Sequence, residues 1–176
     1  MSNCDSWTIS PVHTIVRTHS GFKVDLQNPN VDGIPISDIA HQLSHICRWG
    51  GIPENFYSVA EHSIMTAMLA PPEDKMEALM HDCEEAILGD NITPLKYMVP
   101  QLVDLGNLIR DLLYKRFGVS SNHDRIKIYD KKQLDWEYEN IIQTTAYIGL
   151  SPRRAKALFI KKFKEYSELD KQLRQK

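Results

Sequence analysis

Ser58-Val-Ala-Glu-His-Ser-Ile-Met-Thr-Ala-Met-Leu-Ala70, closed by Pro71-Pro72, is the stretch that decides the fold. Ser58-Val-Ala-Glu61 has the form of a capping box, in which Ser58 caps a helix and Glu61 reaches back to the N–H of the cap. The helix runs to Ala70, where the prolines stop it. Working outward, the same helical period returns in each neighbouring segment. Downstream, Glu73 to about Leu88 reads as a helix ended by Gly89, and Pro100–Phe117 and Asp124–Ile148 follow. Ser151-Pro152 opens the last helix, with Ser as cap and Pro at the first helical position. Its apolar stripe is Leu158, Phe159, Phe163, Tyr166 and Leu169. Upstream, Ser37 or Asp38 caps a helix through about Arg48, stopped by Gly50-Gly51 and Pro53. Before it, Thr14–Thr18 and Phe22–Leu26 flank His19-Ser-Gly21 and read as a short β-hairpin, with Gly21 at a positive-φ position. Asn28-Pro-Asn30 and Asp32-Gly33 then break the chain. The expected architecture is an all-α bundle with a short N-terminal β-hairpin. It forms a single domain over 1–176, with the hairpin at about 14–26 and the helical core at about 37–170.

Composition narrows the partners. Of the 176 residues, 42% are apolar and 25% charged, enough to bury one core without disulfides. A net charge of −2 supplies no field for general nucleic-acid binding, so no stable nucleic-acid partner is expected. Cys4, Cys47 and Cys83 lack any Cys-x-x-Cys spacing and read as reduced thiols. The opening Met1–Ser6 has no basic or apolar secretory pattern, and no apolar run approaches the ~20 residues of a membrane span. A cytoplasmic protein with no membrane contact is expected.

The chemistry lies in Ala78-Leu-Met-His-Asp-Cys-Glu-Glu-Ala86. Adjacent helical residues diverge by ~100°, yet His81 and Asp82 can both reach one ion beside the helix. Glu85 lies four residues from His81 and three from Asp82, on the same side. His62, in the middle of its helix, can face the same point, and the long helix after Ser121 can supply a fourth ligand; Asp130 in Ile126-Lys-Ile-Tyr-Asp130 is one candidate, but that helix holds several acids and composition alone does not pick among them. Two histidines and two carboxylates suit a borderline or hard divalent ion with open positions for water and a phosphate oxygen. A His-Asp dipeptide alone is weak evidence, and a lone mid-helix histidine is more often a hydrogen-bonded core residue.

The longer pattern is more specific. Arg48-Trp49, Tyr57-Ser-Val-Ala-Glu-His-Ser63, His81-Asp82-x-x-Glu85 and Leu88-Gly-Asp90-x-x-Thr-Pro94-x-Lys96 resemble the HD-domain phosphohydrolases of the deoxynucleotidase branch. The agreement runs from about Ser20 to Trp136. The resemblance implies an HD-domain helical bundle with His62, His81, Asp82 and Asp130 as metal ligands. It also implies Glu85 as the catalytic carboxylate, with Asp90 beside the substrate or the attacking water. Asp130 rests on Ile-Lys-x-x-Asp-Lys-Lys, and Asp135 is the competing choice. The implied cofactor is a divalent ion: zinc, cobalt, manganese or magnesium.

Three cations fit phosphates. Arg48 can fork two bonds to phosphoryl oxygens, Lys96 follows Thr93-Pro94, and Lys127 lies one turn before Asp130. Trp49 and Ile52 can wall the sugar and base, or simply pack in the core. His41 and His45 form an i, i+4 pair able to chelate zinc, although packing is the better reading because no third ligand follows. Arg153, Arg154, Lys156, Lys161, Lys162 and Lys164 read as a solvated face.

The chain also resembles the small bacteriophage dATP triphosphohydrolases, which favours release of triphosphate from dATP. A 5′-deoxynucleotidase acting on deoxynucleoside monophosphates is the alternative. A nucleotide-binding regulator without turnover is disfavoured because His62, His81, Asp82, Glu85 and Asp130 are all present. A deoxynucleotide substrate and a homo-oligomer are the expected partners.

Overall fold

The structure is a computed structural model that describes residues 14–175. Cys4 and the Met1–Ser6 start lie outside the described residues. The chain is mostly helical, with one two-stranded antiparallel hairpin, as expected. Strand β1 (Ile15–Arg17) pairs with β2 (Lys23–Asp25), placing Val16 opposite Val24 and Arg17 opposite Lys23. Gly21 takes φ 89°, as the turn requires. Val24 is fully buried and sends the hairpin's inner face into the helical core.

Helix α1 (Ile36–His45) is shorter than expected. Neither Ser37 nor Asp38 caps it. Asp38 is buried and accepts instead from Thr18 Oγ1, from Ser20 Oγ at 2.6 Å and from Ser20 N at 3.1 Å, tying the hairpin to the helix. The helix stops before Arg48 because the next residues become extended. Cys47 bridges Ser58 antiparallel, and Arg48 N donates to Tyr57 O at 2.9 Å. This pairing feeds directly into α2 (Val59–Leu69), where Ser58 Oγ accepts from Glu61 N at 3.1 Å. Only half of the capping box forms. The Glu61 carboxylate turns away to accept from Tyr147 Oη and Leu150 N, both at 2.8 Å, because a buried carboxylate gains more from two fixed donors than from the cap.

The expected helix over 73–88 is divided. A 3₁₀ turn (Pro72–Asp74) leads into α3 (Lys75–Met80), and α4 (Glu85–Leu88) follows after a tightened stretch. There the backbone bonds run three residues apart: Cys83 N to Met80 O at 3.0 Å and Glu85 N to Asp82 O at 3.1 Å. Gly89 ends the segment as expected, its N–H donating to Glu85 O at 2.8 Å. A short α5 (Thr93–Met98) was not foreseen, and none of its residues is buried. Helix α6 (Pro100–Phe117) matches the sequence reading.

Helix α7 (His123–Glu137) ends well before Ile148. It widens into a π turn (Tyr138–Ile142), and an irregular segment follows, held by Asn55 Nδ2 donating to Thr145 O at 3.2 Å and Tyr147 O at 2.9 Å. Helix α8 (Pro152–Arg174) starts after Ser151, whose side chain makes no capping bond. It buries Ala155, Phe159 and Tyr166 across α1, α2 and α3, while Leu158, Phe163 and Leu169 lie at the margin. Ile39, Leu43, Ile64, Leu79, Ile109, Leu113 and Phe159 belong to one apolar cluster. Among the described residues no helix is long and apolar enough to cross a membrane. Cys47 is exposed, Cys83 is buried, and both are free.

Candidate metal centre

Three separate elements bring the candidate ligands together. His62 is fully buried in α2, His81 follows the last residue of α3, Asp82 lies in the tightened turn, and Asp130 comes from α7. His62 Nε2 lies 3.1 Å from Asp130 Oδ1 and 3.6 Å from Asp82 Oδ2. For His81 Nε2 the corresponding distances are 3.6 and 3.2 Å. The two Nε2 atoms are 3.2 Å apart. Donor atoms of His62, His81 and Asp130 all fall within 4.8 Å of one another. Asp82 stands beside them, sharing Oδ2 with Arg48 Nη1 at 3.4 Å.

The other ring nitrogens test whether this set fits a metal ion. His81 Nδ1 lies 2.8 Å from Ala78 O, and a carbonyl can only accept, so that nitrogen carries the proton. His62 Nδ1 lies 2.6 Å from Glu137 Oε1, a carboxylate that likewise accepts. With Nδ1 engaged in each ring, the two Nε2 atoms are left facing each other, with two carboxylate oxygens in the same space, and each can offer a lone pair to a cation that takes the place of a proton. Such convergence of lone pairs and negative charge suits a cation. Ligands at ~2.1 Å from a shared ion in cis positions stand ~3 Å apart, close to the separations here. In the ion-free chain, burial opposes charge on Asp82 and Asp130, yet the adjacent histidines hold both carboxyls far below their usual range. Asp135 points outward to Lys131 at 3.0 Å, so Asp130, not Asp135, reaches the histidines.

Above the cluster lies a cavity of about 400 Å³. It brings together Arg48, Trp49, Ile52, Asp82, Glu85, Asp90, Lys96 and Asp130, with Leu134 as a wall the sequence reading missed. Glu85 is buried, its Oε1 3.4 Å from Lys96 Nζ and its Oε2 without a protein partner. Burial pushes its carboxyl well above the usual range, and Asp82 and Asp90 push the same way. Burial also raises Asp90, against the pull of Arg48.

Lys127 corrects the sequence reading, because it does not line the cavity. It is largely exposed and pairs with Asp124 one turn earlier, at 3.1 Å. His41 and His45 pack against their neighbours. Their rings stack at 4.2 Å, His19 stacks on His41 at 3.6 Å, and none joins the metal group. Along α8, Arg153, Arg154, Lys161 and Lys164 are exposed as a solvated face requires, whereas Lys162 is half-buried beside Glu165 at 3.0 Å and Lys156 is half-buried with Nζ 3.3 Å from His41 Nδ1.

Two features escaped the sequence reading. Trp49, Gly50 and Gly51 adopt φ of 57°, 60° and 80° in succession. Glycine enters this region freely, but tryptophan there is strained and must be held by its surroundings. Its indole donates to Glu137 Oε2 at 2.9 Å, and its ring rests near that of Tyr138. Glu137 itself is fully buried behind the cluster. Burial alone would raise its carboxyl, but the His62 bond, aided by Arg48 and Tyr57, brings it down to about 2. The one sequence signal was its spacing, two turns after Asp130 on the same face of α7.

Fold and site define a helical protein with a histidine–aspartate cluster beneath a cavity that charged and apolar side chains line together. Compared with known proteins, the chain is 33% identical over 175 residues to the uncharacterized protein YfdR of Escherichia coli (strain K12), covering 90% of this chain and 98% of that one. It therefore belongs to the family of YfdR. It is also 36% identical over 113 residues to an uncharacterized protein of Rhodobacter capsulatus, covering 58% of each chain. No protein-family profile matches.

Proposed function

We propose that this chain is an HD-domain phosphohydrolase that uses a divalent cation to release triphosphate from dATP. The observation that carries the reading is the convergence of the two histidine Nε2 atoms with Asp82 and Asp130 beneath a cavity bearing Glu85, Arg48 and Lys96. His62, His81, Asp82 and Asp130 would hold the ion; zinc, cobalt, manganese and magnesium are the candidates. When bound, the cation would acidify a water and polarise the phosphoryl group.

The chain's own residues supply the rest. Glu85, buried and with one free oxygen, positions the attacking water or moves its proton. Asp90 orients the same water or the substrate. Arg48 forks onto the α-phosphate and Lys96 meets the next phosphate. Trp49 and Ile52 form the wall for sugar and base. In this reading the enzyme is a cytoplasmic homo-oligomer.

A second reading, a 5′-deoxynucleotidase, is favoured by one observation. With Lys127 turned outward, Arg48 and Lys96 are the cations lining the cavity among the described residues, and a monophosphate needs no more. A screen of deoxynucleoside mono- and triphosphates with each metal, reading products by mass, separates the two. Triphosphate and deoxyadenosine from dATP support the first reading. Inorganic phosphate from dAMP with dATP untouched supports the second, and no turnover on any nucleotide sinks both.

A further inference from the structure

Glu137 gathers donors from two directions and divides them between its oxygens. Oε1 accepts from His62 Nδ1 at 2.6 Å, from Tyr57 Oη at 2.8 Å and from Gln133 Nε2 at 3.4 Å. Oε2 accepts from Trp49 Nε1 at 2.9 Å and from Arg48 Nε at 3.4 Å. The side chain is entirely shielded from solvent. A buried carboxylate unpaired in this way would be prohibitive, so it persists because five donors surround it. One oxygen thus faces a candidate metal ligand and the other faces the loop that walls the cavity.

We propose that Glu137 is a positioning residue that builds the metal centre and the substrate wall as one unit. Its first oxygen fixes the proton of His62 on Nδ1, leaving Nε2 free to ligate. Its second oxygen holds Trp49 in its left-handed backbone conformation and orients Arg48, whose Nη1 is left to face Asp82 and the cavity. Glutamine cannot replace it, because an amide offers one accepting oxygen and turns an N–H against donors on the other side. Aspartate keeps both oxygens but is one methylene shorter, so it cannot span the two groups together. This inference rests on reading the cluster as a metal centre.

The test uses the full chain, stripped of metal and titrated with cobalt(II), with a competing chelator setting the affinity. Glu137→Gln should bind cobalt ten- to a hundredfold more weakly than wild type, the usual effect of removing such an outer partner. Glu137→Asp should recover part of that loss. Trp49 reads the other half: its emission, isolated by subtracting Trp49→Phe, should shift in Glu137→Gln as the indole loses its anionic acceptor. Asp38→Asn serves as the control for general loosening, since Asp38 is buried but tied only to the hairpin. It should lower the thermal midpoint and leave cobalt affinity unchanged.

Wild-type cobalt affinity in Glu137→Gln, or in Glu137→Asp should the first variant fail to fold, overturns the proposal. So does an unshifted Trp49 emission, or an equal loss in Asp38→Asn. Cobalt binding with the expected Glu137 effect but no nucleotide turnover would sink the phosphohydrolase reading and leave this one standing. No cobalt binding by wild type would sink both.

Discussion

Lys96 Nζ stands 3.4 Å from Oε1 of Glu85, so the cation offered to a phosphate and the acid offered to a water neutralise each other across the cavity. Burial raises Glu85, and Lys96 opposes that rise. Lys96→Met therefore pushes the Glu85 carboxyl higher still. The limb of the kcat/KM profile that follows loss of this proton should move to higher pH. The rate on dATP should also fall at least tenfold, which is ~1.4 kcal/mol. A profile superimposable on wild type would separate Lys96 from Glu85.

Removing the metal should be felt as stability, because the four ligands come from different elements. A ligand present at a hundred times its dissociation constant stabilises by ~2.7 kcal/mol. Chelation should thus lower the thermal midpoint by several degrees, and added cation should restore it. Asp82→Ala and Asp130→Asn should lose metal while keeping helical circular dichroism. Asp135→Asn should keep metal, since its carboxylate already points to Lys131. Full occupancy in purified Asp82→Ala would remove Asp82 from the ligand set.

Glu85→Ala separates holding from reacting. Its carboxylate makes no contact with either histidine, so metal content and nucleotide affinity should stay near wild type. Turnover should drop by ~10²–10⁴, the range for a lost general acid or base. A rate within a few-fold of wild type would end its assignment.

In the dATP reading, substrate choice rests on residues outside the histidine–aspartate cluster. Lys127→Ala should leave dATP hydrolysis within a few-fold of wild type, since its side chain pairs with Asp124 outside the cavity. Ile52, 71% exposed at the rim of the cavity, is placed to crowd the purine edge that carries the 2-amino group in guanine. Ile52→Ala should raise dGTP hydrolysis relative to dATP. A tenfold loss on dATP alone in Lys127→Ala would return that side chain to the phosphate tail.

Local signals were legible where no distant partner competed for them. The hairpin with Gly21, the Ser58 cap, the stop at Gly89 and the span of α6 all follow from turn chemistry and period. Asp38 and Glu61 misled because each had an acceptable local role and a better tertiary one, with Thr18 and Ser20 in one case and Tyr147 and Leu150 in the other. The helix expected to reach Ile148 stops early because Asn55 and Glu61 capture the carbonyls and the N–H of the following segment. At the site, resemblance pointed to His62, His81, Asp82 and Asp130, and the fold brings them together. Glu137 was invisible because α7 is rich in acids, and spacing alone does not say which of them faces inward. Lys127 was misread for the converse reason: sharing a helical face with Asp130 does not direct a long side chain, and Asp124 holds it outside.

The candidate ligand set spans residues 62 to 130, and its last member comes from α7, some fifty residues beyond the other three. A half-folded chain in which α2 and α3 have paired can offer His62, His81 and Asp82 but not Asp130. Affinity for a cation would then report the docking of α7 onto α2 and α3, and not the formation of any single helix. In a cell, a nascent chain would acquire its ion only after the last of these helices had emerged and packed, which makes metal uptake a late checkpoint of maturation.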